Sequence, residues 1–215
     1  MLHYRGAERD AQAMQRELNA ARARSVALVK ADLLDAAGLG EIVKNTLARF
    51  ERIDALVNNA STFFPTPLGQ ITLAQWEELI GSNLRAPLFL AQAAAPHLRK
   101  TGGTIVNIAD IHAERPLKDY AVYSIAKAGL VGLTRSLARE LGPEVRVNAV
   151  APGAILWPED DAFDAVSRRR IISNTLLRRI GEPDDIGKAV YYLVAEAPYV
   201  TGHVLVVDGG RSVNL

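Results

Sequence analysis

The run Thr104-Ile105-Val106-Asn107-Ile108 and the later run Val145-Arg146-Val147-Asn148-Ala149-Val150 lie on either side of Asp119–Leu141, where apolar residues recur at three- and four-residue spacing. Both runs are rich in valine and isoleucine and mostly lack in-out alternation, as in strands buried on both faces of a parallel sheet. The segment between them has the period of an amphipathic helix. This strand-helix-strand order predicts part of a doubly wound α/β sheet.

The same alternation extends along the chain, and we predict a single domain over residues 1–215. Right-handed crossovers place the carboxyl ends of the strands, and with them a ligand crevice, at one edge of the sheet. An irregular stretch from Pro152 to about Arg170 is long enough to act as a mobile flap over that crevice. The other predicted strands are Val26–Val29, Ala55–Val57 and Val204–Val207, and the other predicted helices are Ala7–Ala21, Ala36–Glu51, Leu73–Leu98 and Asp184–Glu196.

Composition narrows the classes of function. The 215 residues include 25 Lys+Arg against 24 Asp+Glu, so no basic surplus indicates a nucleic acid or an anionic membrane as partner. With no cysteine, disulfides and cysteine metal sites are excluded, and we expect no metal site. The N-terminal sequence lacks the apolar stretch of a signal peptide, and no run reaches the ~18 apolar residues of a membrane span. We therefore expect a cytoplasmic protein.

The N-terminus is unusual for a nucleotide-binding sheet. Leu2-His3-Tyr4 resembles the last residues of a strand and is followed at once by a helix. A fold of this type normally begins one strand earlier, with a glycine-rich turn that lets a helix N-terminus meet a pyrophosphate. The sequence contains no such turn between a strand and a helix. We predict that the chain begins inside the second strand and lacks the first strand and its turn.

Polar residues follow several of the predicted strands. Asp32, Asn58-Asn59-Ala60, Asp110 and Pro152-Gly153 each begin within three residues of the end of one, and Asn83 lies within a long predicted helix. Each has a structural alternative: a helix cap, a turn, or a satisfied polar group within a helix. Their position at the expected crevice makes all of them candidate site residues.

Tyr123 and Lys127 are four residues apart in the predicted helix Asp119–Leu141 and therefore project from one face. A nearby ammonium stabilises a phenolate, so we expect Lys127 to lower the pKa of Tyr123 toward the range of useful proton transfer. Alone, the pair also fits an exposed aromatic and a solvated lysine, since this spacing occurs often by chance.

Taken together, these motifs resemble the short-chain dehydrogenase/reductase family, which has a Rossmann-like fold. The resemblance rests on Asn58-Asn59-Ala60, Asn83, Tyr123-x-x-x-Lys127, Arg146–Gly153 and Thr201–Gly210. It implies that Tyr123 is the proton donor, that Lys127 lowers its pKa and holds the nicotinamide ribose, and that Asn83 maintains a helix kink and a water link. It further implies that Asp32 meets adenine, that Asn58 and Ala60 line the cofactor, and that Pro152 and Gly153 face the nicotinamide.

Two departures from the family pattern are similar to the pteridine reductases. Asp110 replaces the usual serine or threonine thirteen residues before the tyrosine, and Asn58-Asn59-Ala60 continues as Ser61-Thr62-Phe63-Phe64-Pro65. The resemblance assigns Phe63 to stacking on a flat pterin ring and Ser61 to a polar contact with it. Asp110 would form an acid pair with Tyr123. The alternatives are a helix-capping role for Asp110 and a core-sealing role for the adjacent phenylalanines.

The residues at the end of the predicted strand Leu2-His3-Tyr4 indicate which nicotinamide cofactor the protein uses. An acidic residue there would repel a 2′-phosphate, but the position holds His3, Tyr4 and Arg5. Arg5 suits a phosphate, so we predict NADPH (NADP), although an exposed loop arginine is the alternative. The prediction is an NADPH-dependent reductase of pterins or dihydrofolate, a homotetramer by resemblance. Another carbonyl reductase of the family, such as a 3-oxoacyl carrier-protein reductase, and a catalytically impaired scaffold or pterin-binding remnant are the alternatives.

Overall fold

The computed structural model describes residues 1–157 and 164–214. Short strands alternate with helices along this part of the chain, and the predicted α/β class is confirmed. The strands are β1 (Leu2–Tyr4), β2 (Leu28–Lys30), β3 (Ala55–Asn58), β4 (Thr104–Ile108), β5 (Arg146–Pro152) and β6 (Val204–Val207), and the helices are α1 (Glu8–Ala21), α2 (Leu39–Phe50), α3 (Leu73–Ile80), α4 (Ala86–Thr101), α5 (Ala121–Leu141), α6 (Ala165–Ser173) and α7 (Pro183–Tyr191).

All described strand pairs are parallel, but they form two sheets. β1 pairs with β2, while β3, β4, β5 and β6 form a second sheet in that order. The second sheet is covered on both faces, as a doubly wound fold requires. Ile105 packs into a cluster with α2, α4 and α5 residues, whereas its neighbour Val106 packs with Ala189 and Leu193 on the opposite face. Valine and isoleucine therefore fill both sides of β4.

The prediction of one continuous helix over Leu73–Leu98 is wrong in one respect. A π-helical turn, Gly81–Arg85, separates α3 from α4, and α4 continues to Thr101. Two features interrupt the ordinary hydrogen-bond ladder here. Pro87 has no N–H to donate to the carbonyl four residues earlier, and the side chain of Asn83 donates to the Leu79 carbonyl. A π-helical turn (Tyr192–Glu196) likewise follows α7, within the predicted helix Asp184–Glu196.

The predicted irregular stretch from Pro152 to about Arg170 is only partly irregular. Asp164 caps α6 by accepting a hydrogen bond from the Ser167 backbone N–H, so helix already begins at Ala165. Residues 158–163 of the predicted flap lie outside the described part of the chain. Among the described helices, none is long and apolar enough to cross a membrane.

Candidate active site

Tyr123 and Asp110 form the centre of the candidate site. Tyr123 lies in the first turn of α5, and its hydroxyl donates a hydrogen bond of 2.7 Å to Oδ2 of Asp110. Oδ1 of Asp110 accepts the backbone N–H of His112 at 2.8 Å and so caps the short 3₁₀ turn Ile111–Ala113. The capping alternative and the pairing prediction for Asp110 therefore both hold, because each uses a different oxygen. The cap fixes the carboxylate that faces the phenol.

Lys127 lies one helical turn after Tyr123 and is almost completely buried. Its ammonium donates to the Ile108 carbonyl at 2.9 Å and lies 5.6 Å from the centre of the Tyr123 ring. Burial lowers the pKa of Lys127 to about 8, and the negative charge of Asp110 partly offsets that effect. An ammonium has three N–H donors, so Lys127 retains donors for a ligand hydroxyl.

The prediction that the pKa of Tyr123 lies below its ordinary value is wrong for this arrangement. Burial raises the pKa of the Tyr123 phenol well above its ordinary value, and the Asp110 carboxylate raises it further. A smaller opposing effect comes from the Ser61 hydroxyl. The ammonium of Lys127 is hydrogen-bonded to a backbone carbonyl, whereas the Asp110 carboxylate is hydrogen-bonded to the phenol itself. Tyr123 is therefore a protonated hydrogen-bond donor throughout the neutral range.

Asn83 connects the π-helical turn to the segment that follows β3. Its amide nitrogen donates to the carbonyls of Thr62 and Leu79, each at 3.0 Å. Its amide oxygen accepts the Ser61 hydroxyl at 2.6 Å. Asn83 thereby holds Ser61 beside Tyr123 and occupies a distortion of the helix, in agreement with the predicted kink.

Phe63 and Phe64 have different environments. Phe64 packs into the buried cluster formed by Leu79, Tyr120 and Tyr123, as the core-sealing alternative predicts. Phe63 remains 36% exposed. Its ring stacks on Tyr120 with centroids 4.5 Å apart and meets Tyr123 edge-on at 4.8 Å. The exposed aromatic surface therefore lies directly beside the phenol of the Tyr123–Asp110 pair.

The predicted cofactor residues divide between two places. Arg5, Asp32 and Ala60 line one cavity of about 190 Å³ at the ends of β1, β2 and β3, which also includes Ser61. Asp32 also closes a turn by accepting the Leu34 N–H, and the alternative of a helix cap is wrong, because the next helix is capped at Gly38. The side chain of Asn58 is buried and donates to Asn107 at 2.8 Å.

Pro152 and Gly153 lie at the end of β5, next to the strand that leads to Asp110. The register pairs Ile108 with Val150, which brings the residues after β4 level with Pro152. A side chain at Gly153 would approach Asp208 to 2.7 Å, so only glycine fits there. The end of β5 therefore closes the site on the side of β6.

Sequence reasoning missed Arg211. This arginine is 8% exposed, and its Nε has no hydrogen-bond partner. Burial lowers its pKa, while the carboxylates of Asp110 and Asp208 favour its charge. Asp208 accepts the backbone N–H groups of Gly210 and Ser212 and folds the loop back, which gives Arg211 its position. The sequence feature that could have identified it is an arginine directly after the turn Asp208-Gly209-Gly210.

Comparison with known proteins agrees with this geometry. A family model described as enoyl-(acyl carrier protein) reductase matches residues 1–212. A solved Serratia marcescens short-chain dehydrogenase/reductase, a double mutant, superposes with a TM-score of 0.90 at 32% identity, covering 98% of this chain and 86% of that one. The chain belongs to the short-chain dehydrogenase/reductase family.

Curated members of the short-chain dehydrogenase/reductase family with different substrates in their names are about equally similar to this chain. Pteridine reductase 1 of Leishmania tarentolae is 34% identical over 98% of this chain and 86% of its own. The 3-oxoacyl-[acyl-carrier-protein] reductase FabG of Staphylococcus aureus is 32% identical over 97% of this chain and 86% of its own. Identity alone therefore does not select the substrate.

Proposed function

We propose that this protein reduces pterins, including dihydropterins and dihydrofolate, with NADPH. In this proposal Tyr123 and Asp110 together control the protonation of the substrate. The observation that carries the proposal is the 2.7 Å hydrogen bond from the Tyr123 hydroxyl to Asp110, with the exposed ring of Phe63 beside it. Asn83 and Lys127 complete the proposed catalytic set. A location in the cytoplasm and assembly as a homotetramer belong to the same proposal.

A carboxylate at position 110 suits a nitrogen heterocycle better than a carbonyl. Both oxygens of Asp110 accept hydrogen bonds, from His112 and from Tyr123. An acceptor-only group cannot donate to the negative oxygen that develops when a ketone is reduced, and it repels that charge. The amino and ring N–H groups of a pterin are donors to such a carboxylate. Phe63 offers a flat apolar surface for the pterin ring, and Ser61 a polar contact.

The residues present fit the 2′-phosphate and the nicotinamide ribose of a phosphorylated dinucleotide, whereas Met1–Leu215 contains no glycine-rich turn to meet its pyrophosphate. Lys127 has N–H donors left for ribose hydroxyls, and Arg5 makes no ion pair within residues 1–157 and 164–214. Arg5 would hold a 2′-phosphate, Asp32 and Ala60 would line the adenine end, and Asn58, Pro152 and Gly153 would border the remainder. NADPH, when bound, would supply the hydride.

In the proposed reaction Tyr123 donates its proton to the substrate nitrogen. The raised pKa keeps the phenol protonated, so it gives up the proton only to a strongly basic acceptor, such as the nitrogen left by hydride addition to a C=N bond. The phenolate formed lies next to Asp110, and the positive charge of Lys127 offsets part of that repulsion.

Steady-state assays with dihydrobiopterin and with a 3-oxoacyl thioester test the proposal. We expect Asp110→Ser to lower the turnover of dihydrobiopterin by about 100-fold or more. Asp35→Ser is the matched control, because Asp35 also caps a turn through its side chain but lies in an exposed loop. Asp110→Asn retains an oxygen for the cap and separates loss of charge from loss of structure. Much faster reduction of the thioester than of dihydrobiopterin by the unaltered protein would refute the pterin assignment.

The second candidate is a 3-oxoacyl thioester reductase, supported by the similarity to the Staphylococcus aureus enzyme. On that alternative Asp110→Ser keeps or increases thioester reduction, because serine restores a donor toward the substrate oxygen. The scaffold alternative predicts no turnover of either substrate.

A further inference from the structure

Arg211 is a buried cation whose guanidinium lacks a partner in the described part of the chain. The residue is 8% exposed, and its Nε has no hydrogen-bond partner. Within residues 1–157 and 164–214 the guanidinium also forms no ion pair. A guanidinium only donates hydrogen bonds, and buried donors without acceptors destabilise a folded protein. An unpaired buried arginine therefore indicates that an acceptor from outside the protein binds here.

Two other arginines among the described residues have a buried Nε without a hydrogen bond, but both have partners for the rest of the guanidinium. The terminal nitrogens of Arg85 donate to Glu77 at 3.0 Å and to a backbone carbonyl at 3.2 Å. The guanidinium of Arg168 lies over the Trp157 ring, 5.3 Å from its centre. Arg211 makes neither kind of contact within the described ranges, so its N–H donors are available to a ligand.

The turn that follows β6 brings Arg211 toward Asp110. The register places the ends of β4, β5 and β6 at one edge of the sheet. Asp208 then folds the turn back by accepting the backbone N–H groups of Gly210 and Ser212. Ser212 lines the same cavity as Asp110, with a volume of about 200 Å³. Burial lowers the pKa of Arg211, and the carboxylates of Asp110 and Asp208 oppose that shift, so both carboxylates lie within electrostatic range of the guanidinium.

Asp110 and Arg211 have opposite hydrogen-bonding properties. An ionised carboxylate only accepts hydrogen bonds, and a guanidinium only donates them. Because the two charges cancel, a ligand that fits both groups is uncharged and carries an N–H donor next to a carbonyl oxygen. The 2-amino-4-oxo ring of a pterin has such an edge, where a ring N–H lies beside the 4-oxo oxygen. A 2,4-diaminopteridine has the same ring shape, but it presents N–H donors in place of that oxygen.

We propose that Arg211 is a specificity-determining residue that donates to the 4-oxo oxygen of a pterin while Asp110 accepts from the N–H groups of the same ring edge. This assignment rests on the proposed function, because it names a contact of the substrate proposed above. The ligand would supply the acceptor that the described residues do not. A 4-amino group at the same place would bring N–H donors against a cation and leave the guanidinium unpaired. The site should therefore bind 4-oxo pteridines and reject 4-amino ones.

Fluorescence titration with pterin (2-amino-4-oxopteridine) and with 2,4-diaminopteridine tests the assignment. NADP⁺ is present in both titrations, because it has no hydride to donate and neither ligand is consumed. We expect the unaltered protein to bind pterin at least about tenfold more tightly than the diamino compound. Arg211→Met should weaken pterin binding by about 10- to 100-fold, the range for a hydrogen bond to a charged group. Binding of the diamino compound should change by less than about threefold, so the preference is lost.

Two variants serve as controls. Arg85→Met also removes a guanidinium with a buried, unpaired Nε, but one that is bonded to Glu77, and it should leave the ratio of the two affinities unchanged. Phe63→Ala removes the proposed stacking surface, which does not distinguish a 4-oxo from a 4-amino ring. Both ligands should therefore bind more weakly to Phe63→Ala, and to the same extent.

The outcomes separate this assignment from the proposed function. An unchanged affinity ratio in Arg211→Met would overturn the assignment alone, and a lower midpoint of urea unfolding would then identify a structural role for Arg211. Tighter binding of the diamino compound than of pterin by the unaltered protein would also overturn the assignment alone. Binding of neither compound by the unaltered protein would refute the proposed function, and the assignment with it.

Discussion

Replacing Lys127 by methionine should stabilise the folded protein at neutral pH. Burial lowers the pKa of this lysine from 10.5 to about 8, which corresponds to about 3 kcal/mol of folding free energy lost while the lysine is charged. Methionine has a similar length and no charge to bury. It forfeits the hydrogen bond to the Ile108 carbonyl, worth about 1 kcal/mol. We therefore expect a net gain of about 2 kcal/mol at pH 7.

The pH dependence of the stability provides a second test of whether the charge of Lys127 destabilises the folded protein. The pKa of Lys127 in the folded state lies below its value in the unfolded chain. Between about pH 8 and 10.5 the unfolded chain binds a proton that the folded protein lacks, so the stability of the unaltered protein rises with pH. By pH 9.5 the advantage of Lys127→Met should shrink by about 2 kcal/mol. Tyr123 is present in both proteins, so its own contribution cancels in the difference.

Urea unfolding at pH 7 and pH 9.5 measures both quantities. Lys44→Met is the matched control, because Lys44 forms an exposed pair with Glu41 and its loss should change stability by less than about 0.5 kcal/mol at either pH. A Lys127→Met protein that is less stable than the unaltered one at pH 7, or whose difference is the same at both pH values, would refute the reasoning. Reductase activity should be lost in this variant even though the fold is more stable.

Other substitutions separate the parts of the site. Arg5→Glu should weaken NADPH binding at least about tenfold while NADH binding changes little, measured by fluorescence titration; equal losses would argue against a 2′-phosphate contact. Asn83→Ala should lower the free energy of unfolding by about 2–4 kcal/mol, because the side chain of Asn83 is buried and its hydrogen bonds to the carbonyls of Thr62 and Leu79 are lost. Phe63→Ala should raise the KM for dihydrobiopterin up to about tenfold, with less than about 1 kcal/mol change in stability, since the ring is 36% exposed; an unchanged KM would remove it from the substrate surface.

The strands could be predicted closely because valine and isoleucine runs mark buried parallel strands independently of tertiary detail. Thr104–Ile108 and Val204–Val207 have the predicted bounds. Periodicity did not predict the π-helical turn at Gly81–Arg85, where only the resemblance implied a kink at Asn83, because part of its support is an amide of Asn83 bonding to a carbonyl of the distant segment at Thr62. Local periodicity carries no information about such a contact.

The sequence predicted that Tyr123, Lys127 and Asp110 belong to one site, but it did not predict the direction in which the pKa of Tyr123 shifts. Spacing placed Tyr123 and Lys127 on one helix face, and the resemblance supplied Asp110 as the partner of the tyrosine. Whether the Asp110 carboxylate or the Lys127 ammonium has the larger effect on the pKa of the phenol depends on their distances from it. Residue spacing in the sequence does not give those distances. Asp110 makes the hydrogen bond, while Lys127 donates to a carbonyl. Burial, and then the adjacent Asp110 carboxylate, raise the pKa of Tyr123, where helical spacing alone predicts a fall.

The same distances explain why a buried cation is tolerated beside this pair. Transfer of the Tyr123 proton would leave a phenolate next to the Asp110 carboxylate, two negative charges within hydrogen-bond distance. Lys127, 5.6 Å from the ring, and Arg211, whose charge Asp110 favours, are the buried cations near this position in the part of the chain described. In a site of low dielectric constant their attraction to the phenolate is larger than in water. The buried charge of Lys127 therefore destabilises the folded protein while the phenol is protonated and stabilises the phenolate after proton transfer. An interaction of this kind stabilises a transition state more than a ground state.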